Sequence, residues 1–256
     1  MSVFVPPAGY RQSAVGGTLF VARDEHHDAM RRALGSGTLH GWAATQPRAR
    51  AMQGRNVAWA TTLGDGTPVV VRHSRHGGAL AGLTRDLFLA PSRAPRELDA
   101  ALRLQAAGVR TATVIGYAVY RAFGPFCRAD VATALIDGAD LPATLATHRD
   151  AIARQAISDA VARLNSALWS AGAHHPDLNA KNIMIARRHD TFEAWVIDVD
   201  RVSFHAPRDA SIAARNVARL IHSLHKWQAS QQLSIAPDDL LRMGSFGQSR
   251  VEIPPR

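Results

Sequence analysis

His174-His175-Pro176-Asp177-Leu178-Asn179-Ala180-Lys181-Asn182-Ile183, followed by Val196-Ile197-Asp198-Val199-Asp200, is the stretch that decides how this chain folds. Upstream of it, Ile157, Val161, Leu164 and Leu168 recur at helical spacing until Gly172 ends the run. Downstream, Ile183-Met184-Ile185 and Trp195-Val196-Ile197 read as two short strands joined by a turn through Arg187 to Asp190. A helix, a polar loop and a hairpin ending on acids therefore follow one another. Phosphoryl transfer needs an acceptor hydroxyl held in line and cations that neutralise phosphate charge. Asp177 suits the first need, as the acceptor of the hydroxyl proton. Asn182, five residues on, offers an amide oxygen to a hard cation, and the hairpin brings the carboxylate of Asp198 back to the same region. Oxygen ligands of this kind favour magnesium. Asp200 either joins the metal or caps the turn after the strand.

The segment after the hairpin predicts a second long helix over about Ala210 to Ala229, with Ala213, Val217, Leu220, Leu224 and Trp227 as its apolar stripe. The first half reads differently. Val57 to Leu63, the turn Gly64-Asp65-Gly66-Thr67 and Val69-Val70-Val71-Arg72 predict a β-hairpin. Pro95 suits a first helical residue, and Leu98, Ala101, Leu102 and Gln105 follow at helical spacing up to Gly108. Residues Thr113 to Phe123 and Arg128 to Ile136 are rich in β-branched and apolar side chains and complete a small antiparallel sheet. Sheet thus precedes helix, with the boundary near Gly138: residues 1–137 form a sheet-rich part and residues 138–256 a helical one. The proline-bearing ends, Pro6-Pro7 and Pro254-Pro255, read as frayed.

Composition narrows the setting. A chain of 256 residues, 46% hydrophobic, buries a full core as one mid-sized domain or two small lobes. A single cysteine, Cys127, excludes an internal disulfide and a multi-cysteine zinc site, which suits a reducing compartment. No stretch has the length or hydropathy of a membrane span, so the protein is expected to be soluble or peripheral. A formal charge of +9, carried mainly by arginine, attracts polyanions: nucleotides, nucleic acid, anionic lipids and lipopolysaccharide precursors all qualify.

His175-Pro176-Asp177-Leu178-Asn179-Ala180-Lys181-Asn182 resembles the catalytic loop H-R-D-L-x-x-x-N of protein kinases, and Asp198-Val199-Asp200 resembles their D-F-G. The resemblance is closer to the lipopolysaccharide kinase family, and within it to the 3-deoxy-D-manno-octulosonic acid (Kdo) kinases, with H-x-D-L-N-x-x-N and D-F-D. It extends to Val71-Arg72-His73-Ser74-Arg75-His76-Gly77-Gly78, similar to L-R-H-Y-R-R-G-G, and to Ser92-Arg93-Ala94 with Glu97, similar to R-x-x-x-E. Arg219-Leu220-Ile221-His222-Ser223-Leu224-His225-Lys226 is similar to R-L-x-R-S-L-x-K.

The resemblance implies an α+β, protein-kinase-like, two-lobed fold, with a small antiparallel-sheet N-lobe and a mainly helical C-lobe. It implies Asp177 as catalytic base, Asn182 and Asp198 as magnesium ligands that hold the nucleotide, and Arg72 as the strand cation that is usually lysine, with Glu97 as its helix partner. Gly54-Arg55-Asn56 stands where the family has G-R-G, making Gly54 a candidate nucleotide-loop residue. His175 reads as a packed loop organiser, while Arg219 and Lys226 read as surface helix. Pro176 replaces the arginine that in many protein kinases reads a phosphorylated activation loop, and no A-P-E segment follows Asp200, so a small or glycolipid acceptor suits better than a protein. The implied activity is ATP-dependent phosphorylation of a Kdo hydroxyl on a lipid A precursor, with ATP and magnesium required. Peripheral contact with the anionic cytoplasmic face of the bacterial inner membrane is expected, and no nucleic-acid partner. Alternatives are a heptose or other small-molecule kinase of the same fold, or a nucleotide-binding module with weakened catalysis.

Overall fold

Alternation builds the first sheet: Val69 and Val71 are fully buried while Val70 and Arg72, one residue out of phase, face the other side. The computed structural model describes residues 5–52, 57–74, 86–89, 92–230 and 232–247. The expected hairpin is present as β4 (Ala58–Thr62) and β5 (Pro68–His73). Its turn closes by Leu63 N donating to Thr67 O at 2.9 Å, with Gly66 at φ 90° and the Asp65 carboxylate accepting from Thr67 N at 3.0 Å. A positive φ there is the reason for glycine.

Around this hairpin stand β1 (Tyr10–Val15), β2 (Thr18–Arg23), β3 (Arg50–Met52), β6 (Phe88–Leu89), β7 (Val114–Arg121) and β8 (Phe126–Ala134). They form one antiparallel sheet in the order β1-β2-β7-β8-β5-β4-β3, with β6 also on β8. Two short helices, α1 (His27–Leu34) and α2 (Leu39–Ala44), contribute Met30, Leu34 and Leu39 to a core shared with Phe20, Val69, Val71 and Ile115. Neither the β1–β2 hairpin nor these helices was expected. Gly16 and Gly17, at φ 53° and 80°, make the hairpin's two-residue turn, a Gly-Gly signal present in the sequence. Gly54, with its neighbours Arg55 and Asn56, lies outside the described residues, as do Arg75 to Gly78 and Pro254-Pro255.

Contacts divide the chain into two units, Met1–Asp99 with Thr113–Leu135, and Ala100–Ala112 with Ile136–Arg256. The helix α3 (Ala94–Ala106), expected from Pro95, begins in the first and ends in the second. The second unit contains β9 (Gly138–Asp140), α4 (Leu141–Thr147), α5 (Ala151–Ser170), β10 (Ala173–His174), β11 (Ile183–Arg188), β12 (Thr191–Val196), β13 (Ser203–Phe204), α6 (Ala210–Ala229) and α7 (Pro237–Met243). Helix α6 has the bounds expected of it. Asp140, Asp150 and Asp209 cap α4, α5 and α6, each accepting a backbone N–H of the first turn at 2.8 Å. A small sheet runs β12-β11-β9, and at Gly138 a Cβ would stand 2.3 Å from Ile185 O, so only glycine permits this approach.

One polar cluster in the first unit is built on a fully buried carboxylate, that of Asp130. The Asp130 carboxylate accepts from His40 N at 2.8 Å and from the Tyr120 hydroxyl at 2.9 Å, and lies 2.5 Å from His73 Nδ1. His73 Nε2 reaches Asp86 at 3.1 Å. The bond to Asp130 raises the His73 pKa above its ordinary 6.5 despite burial, and Asp86 adds to the effect. A raised folded-state pKa means the fold holds this proton more tightly than the unfolded chain does. Its stabilisation is complete below the ordinary value and is lost as pH rises through the elevated one. Denaturant unfolding from about pH 6 to about pH 9 should therefore show wild type losing stability relative to His73→Gln, by at most about 1.4 kcal/mol per pH unit. A difference between the two proteins that stays constant with pH would be the opposite result.

Candidate active site

Helix α5 stops because Gly172, at φ 62°, turns the chain where a Cβ would stand 2.5 Å from His205 O and 2.6 Å from Ala206 O. The chain then passes through β10 into the polar loop. Asn179 orders the loop's second half, its side-chain oxygen accepting from Lys181 N at 2.9 Å and Asn182 N at 3.2 Å. This caps a single 3-10 turn, Ala180–Asn182. Asn182 closes the loop on itself, its Nδ2 donating to Asp177 O at 2.8 Å. The Asn182 side chain is thereby fixed, with its amide oxygen as the atom left to meet a ligand.

The hairpin returns Asp198 to this point by register. Ile183 pairs with Val196 across β11 and β12, and Ile197 N donates to Asn182 O at 3.0 Å. Asp198 is the next residue, and its backbone is left-handed, at φ 63° and ψ 51°. Among L-residues aspartate tolerates that conformation better than most, but it still costs energy and clusters at functional positions. Its side chain is exposed, whereas Val199 behind it is buried.

His175 ties the two halves together. It is 1% exposed, its ring Nε2 lies 3.1 Å from Ile197 O, and burial lowers its pKa. A neutral ring beside a carbonyl carries its proton on Nε2 and donates it. The nearby carboxylates of Asp198, Asp177 and Asp200 pull in the other direction, more weakly than burial. His175 is thus the loop organiser expected of it. Asp200 sits half-buried in a 3-10 turn, Val199–Arg201.

Helix α6 supports the loop from beneath through residues to which the sequence reading gave no part in the site. Asn216, 2% exposed, accepts from His175 N at 2.9 Å and donates to Ala173 O at 2.8 Å. Ser223 Oγ accepts from Ala180 N at 3.1 Å. Arg219 Nη2 donates to Asp177 Oδ1 at 2.5 Å. Positions 216, 219 and 223 share one helix face. Polar Asn216 and Ser223 beside the apolar stripe of Val217, Leu220 and Leu224 were the available signal, and Arg219 is bound to the loop where a surface residue was expected.

Arg72 and Glu97 meet in the first unit: the β5 guanidinium is ion-paired with the α3 carboxylate, which is 3% exposed. The oxygen donors of Asn182 and Asp198 fit magnesium, which commonly takes one or two carboxylates and fills its shell with water and substrate phosphate.

Comparison with known proteins gives the family and the fold. The family described as "Lipopolysaccharide kinase (Kdo/WaaP) family" matches residues 40–240. A 3-deoxy-D-manno-octulosonic acid kinase of Pasteurella multocida is 31% identical over 156 residues, 58% of this chain and 64% of that protein. The matched segment therefore spans less than two thirds of that relative. Another from Xylella fastidiosa is 27% identical over 206 residues, 79% of each chain. A solved structure of WaaP in complex with acyl carrier protein superposes with a TM-score of 0.56 at 19% identity, covering 88% of this chain and 86% of that one, a likeness of fold. Fold and matches together give a chain of the protein-kinase-like fold class. More particularly, the chain belongs to the lipopolysaccharide kinase (Kdo/WaaP) family.

Removing the Asn216 side chain leaves a buried N–H and a buried C=O without their partner. Asn216→Ala should lower the unfolding free energy by about 2–4 kcal/mol, the cost of stranding two such groups. Chemical denaturation checks this, and a loss below about 0.5 kcal/mol, typical of surface positions, would contradict the support role.

Proposed function

We propose that this chain transfers the γ-phosphoryl group of ATP to a hydroxyl of Kdo on a lipid A precursor, working peripherally at the cytoplasmic face of the inner membrane. The observation that carries the reading is the hydrogen-bonded chain from Asp177 through Asn182 to Ile197, which sets a carboxylate, an amide oxygen and the Asp198 carboxylate around one loop. Family membership and the names of the relatives support the acceptor class.

Asp177 orients the acceptor hydroxyl and takes its proton as the oxygen–phosphorus bond forms and the bond to the β-phosphate bridging oxygen breaks, releasing ADP. Arg219 fixes the carboxylate in its rotamer. Asn182 and Asp198 are the residues that would hold magnesium, which when bound neutralises phosphate charge. Arg72, steadied by Glu97, is a guanidinium suited to the phosphates of the nucleotide. Gly54 remains a candidate contact to the nucleotide from its place in the motif. The charge of +9 favours an anionic surface, and among the described residues no helix is long and apolar enough to cross a membrane.

The test incubates purified protein with magnesium, ATP and a Kdo-bearing lipid A precursor and looks by mass spectrometry for one added phosphate. Asp177→Ala and Asp198→Ala should each lower turnover by roughly a hundredfold or more, with circular dichroism unchanged. Unaltered turnover in either variant would remove that residue from the chemistry. Failure of the wild-type protein to form the product would overturn the acceptor assignment.

A further inference from the structure

Helix α6 carries Arg215, Arg219, His222, His225 and Lys226 and no acidic residue anywhere along its 20 positions. At about 100° of turn per residue, 215, 219, 222 and 226 fall within a wedge of about 60° and extend over about 16 Å of helix. Arg215, His222 and Lys226 are exposed, and Arg219 is half-buried where the stripe meets the catalytic loop. Among the described residues none of the three exposed side chains has a carboxylate within ion-pair distance. Lys181, from the loop itself, lies 5.3 Å from the ring of Trp227 in the next turn of the helix and is paired with Asp140.

An ordinary solvated helix face mixes its charges, because acids three or four residues from bases support the helix and like charges at that spacing weaken it. Here Arg215 and Arg219 stand at the unfavourable spacing, and only Arg219 has an acid, Asp177, to relieve it; Arg215 and Lys226 have no ion-paired carboxylate among the described residues. The stripe therefore costs the fold something and invites an anion from outside. Its position says which one: Arg219 holds the Asp177 carboxylate at 2.5 Å, so whatever lies along the stripe has a group at the proposed base.

We infer that Arg215, His222 and Lys226 form a docking track for the acidic sugars of the acceptor, whose carboxylates pair with the track while a neighbouring hydroxyl reaches Asp177. This rests on the acceptor reading above. The occupant is the anionic saccharide itself, not the bilayer phospholipid. Arginine and lysine suit carboxylates by charge-assisted hydrogen bonding, and exposed side chains can be replaced with little risk to folding.

The experiment measures binding by isothermal titration calorimetry without nucleotide, so that it reads docking apart from turnover. The probe is the water-soluble, fully deacylated Kdo-bearing lipid A precursor, titrated into wild type, into Arg215→Ser/Lys226→Ser, and into Arg31→Ser/Arg121→Ser. The last variant removes the same charge from exposed positions of the other unit. The track variant should bind roughly tenfold or more weakly, and the control within about twofold of wild type. Equal weakening in both variants would reduce the effect to net charge and overturn the inference, as would no weakening or no binding by wild type. A track variant that loses affinity only for vesicles of anionic phospholipid lacking Kdo would make the bilayer the occupant and also overturn it. Wild type that binds the probe but transfers no phosphate to the intact acceptor would sink the acceptor reaction while leaving the track in place.

Discussion

A buried, neutral imidazole holds the proposed catalytic loop of the second unit in place. His175 donates from its ring to Ile197 O, and its main-chain N–H is received by Asn216. One residue thereby joins the end of the β11–β12 hairpin, the loop and helix α6. Such networks are strong because the interior offers no water to replace a lost partner. The same bonds determine where Asp177, Asn182 and Asp198 stand, since Asn182 is closed onto Asp177 O and Ile197 N onto Asn182 O. The left-handed turn at Asp198 is held by a surrounding structure that leaves it no relaxed alternative.

Local pattern explains what was legible in the sequence. The loop motif, the hairpin that follows it, the Gly64–Thr67 turn and the helix Ala210–Ala229 all declare themselves through nearest-neighbour chemistry: turn glycines, β-branched runs and helical periodicity. Strand order does not. The sequence β1-β2-β7-β8-β5-β4-β3 depends on pairings between distant segments, such as Val21 with Tyr117 and Val71 with Ala132, which no local window contains. The site shows the same division. Its proposed ligands sit in a compact motif, but the contacts of Asn216, Arg219 and Ser223 appear only when a helix some 40 residues downstream is packed beneath the loop. Arg219 looked like a surface residue because its partner, Asp177, is 42 residues away.

Charge runs through the whole molecule. Arginine stands at position 72, where related kinases usually have lysine, and its planar fork is already engaged by Glu97. Asp130 shows the complementary case, a fully buried carboxylate made tolerable by a backbone amide, a phenol and an imidazole. Arg215 and Lys226 stand exposed on helix α6 without an ion-paired carboxylate among the described residues, and the anionic acceptor is the partner proposed for them.

The most direct measurement is a crystal structure of the protein with magnesium and a non-hydrolysable ATP analogue. The expected result is a magnesium ion between the Asn182 amide oxygen and the Asp198 carboxylate, at the usual contact distance of about 2.0–2.1 Å, with phosphate oxygens completing its shell. A nucleotide and metal held elsewhere, with these two side chains facing only solvent, is incompatible with the site described here.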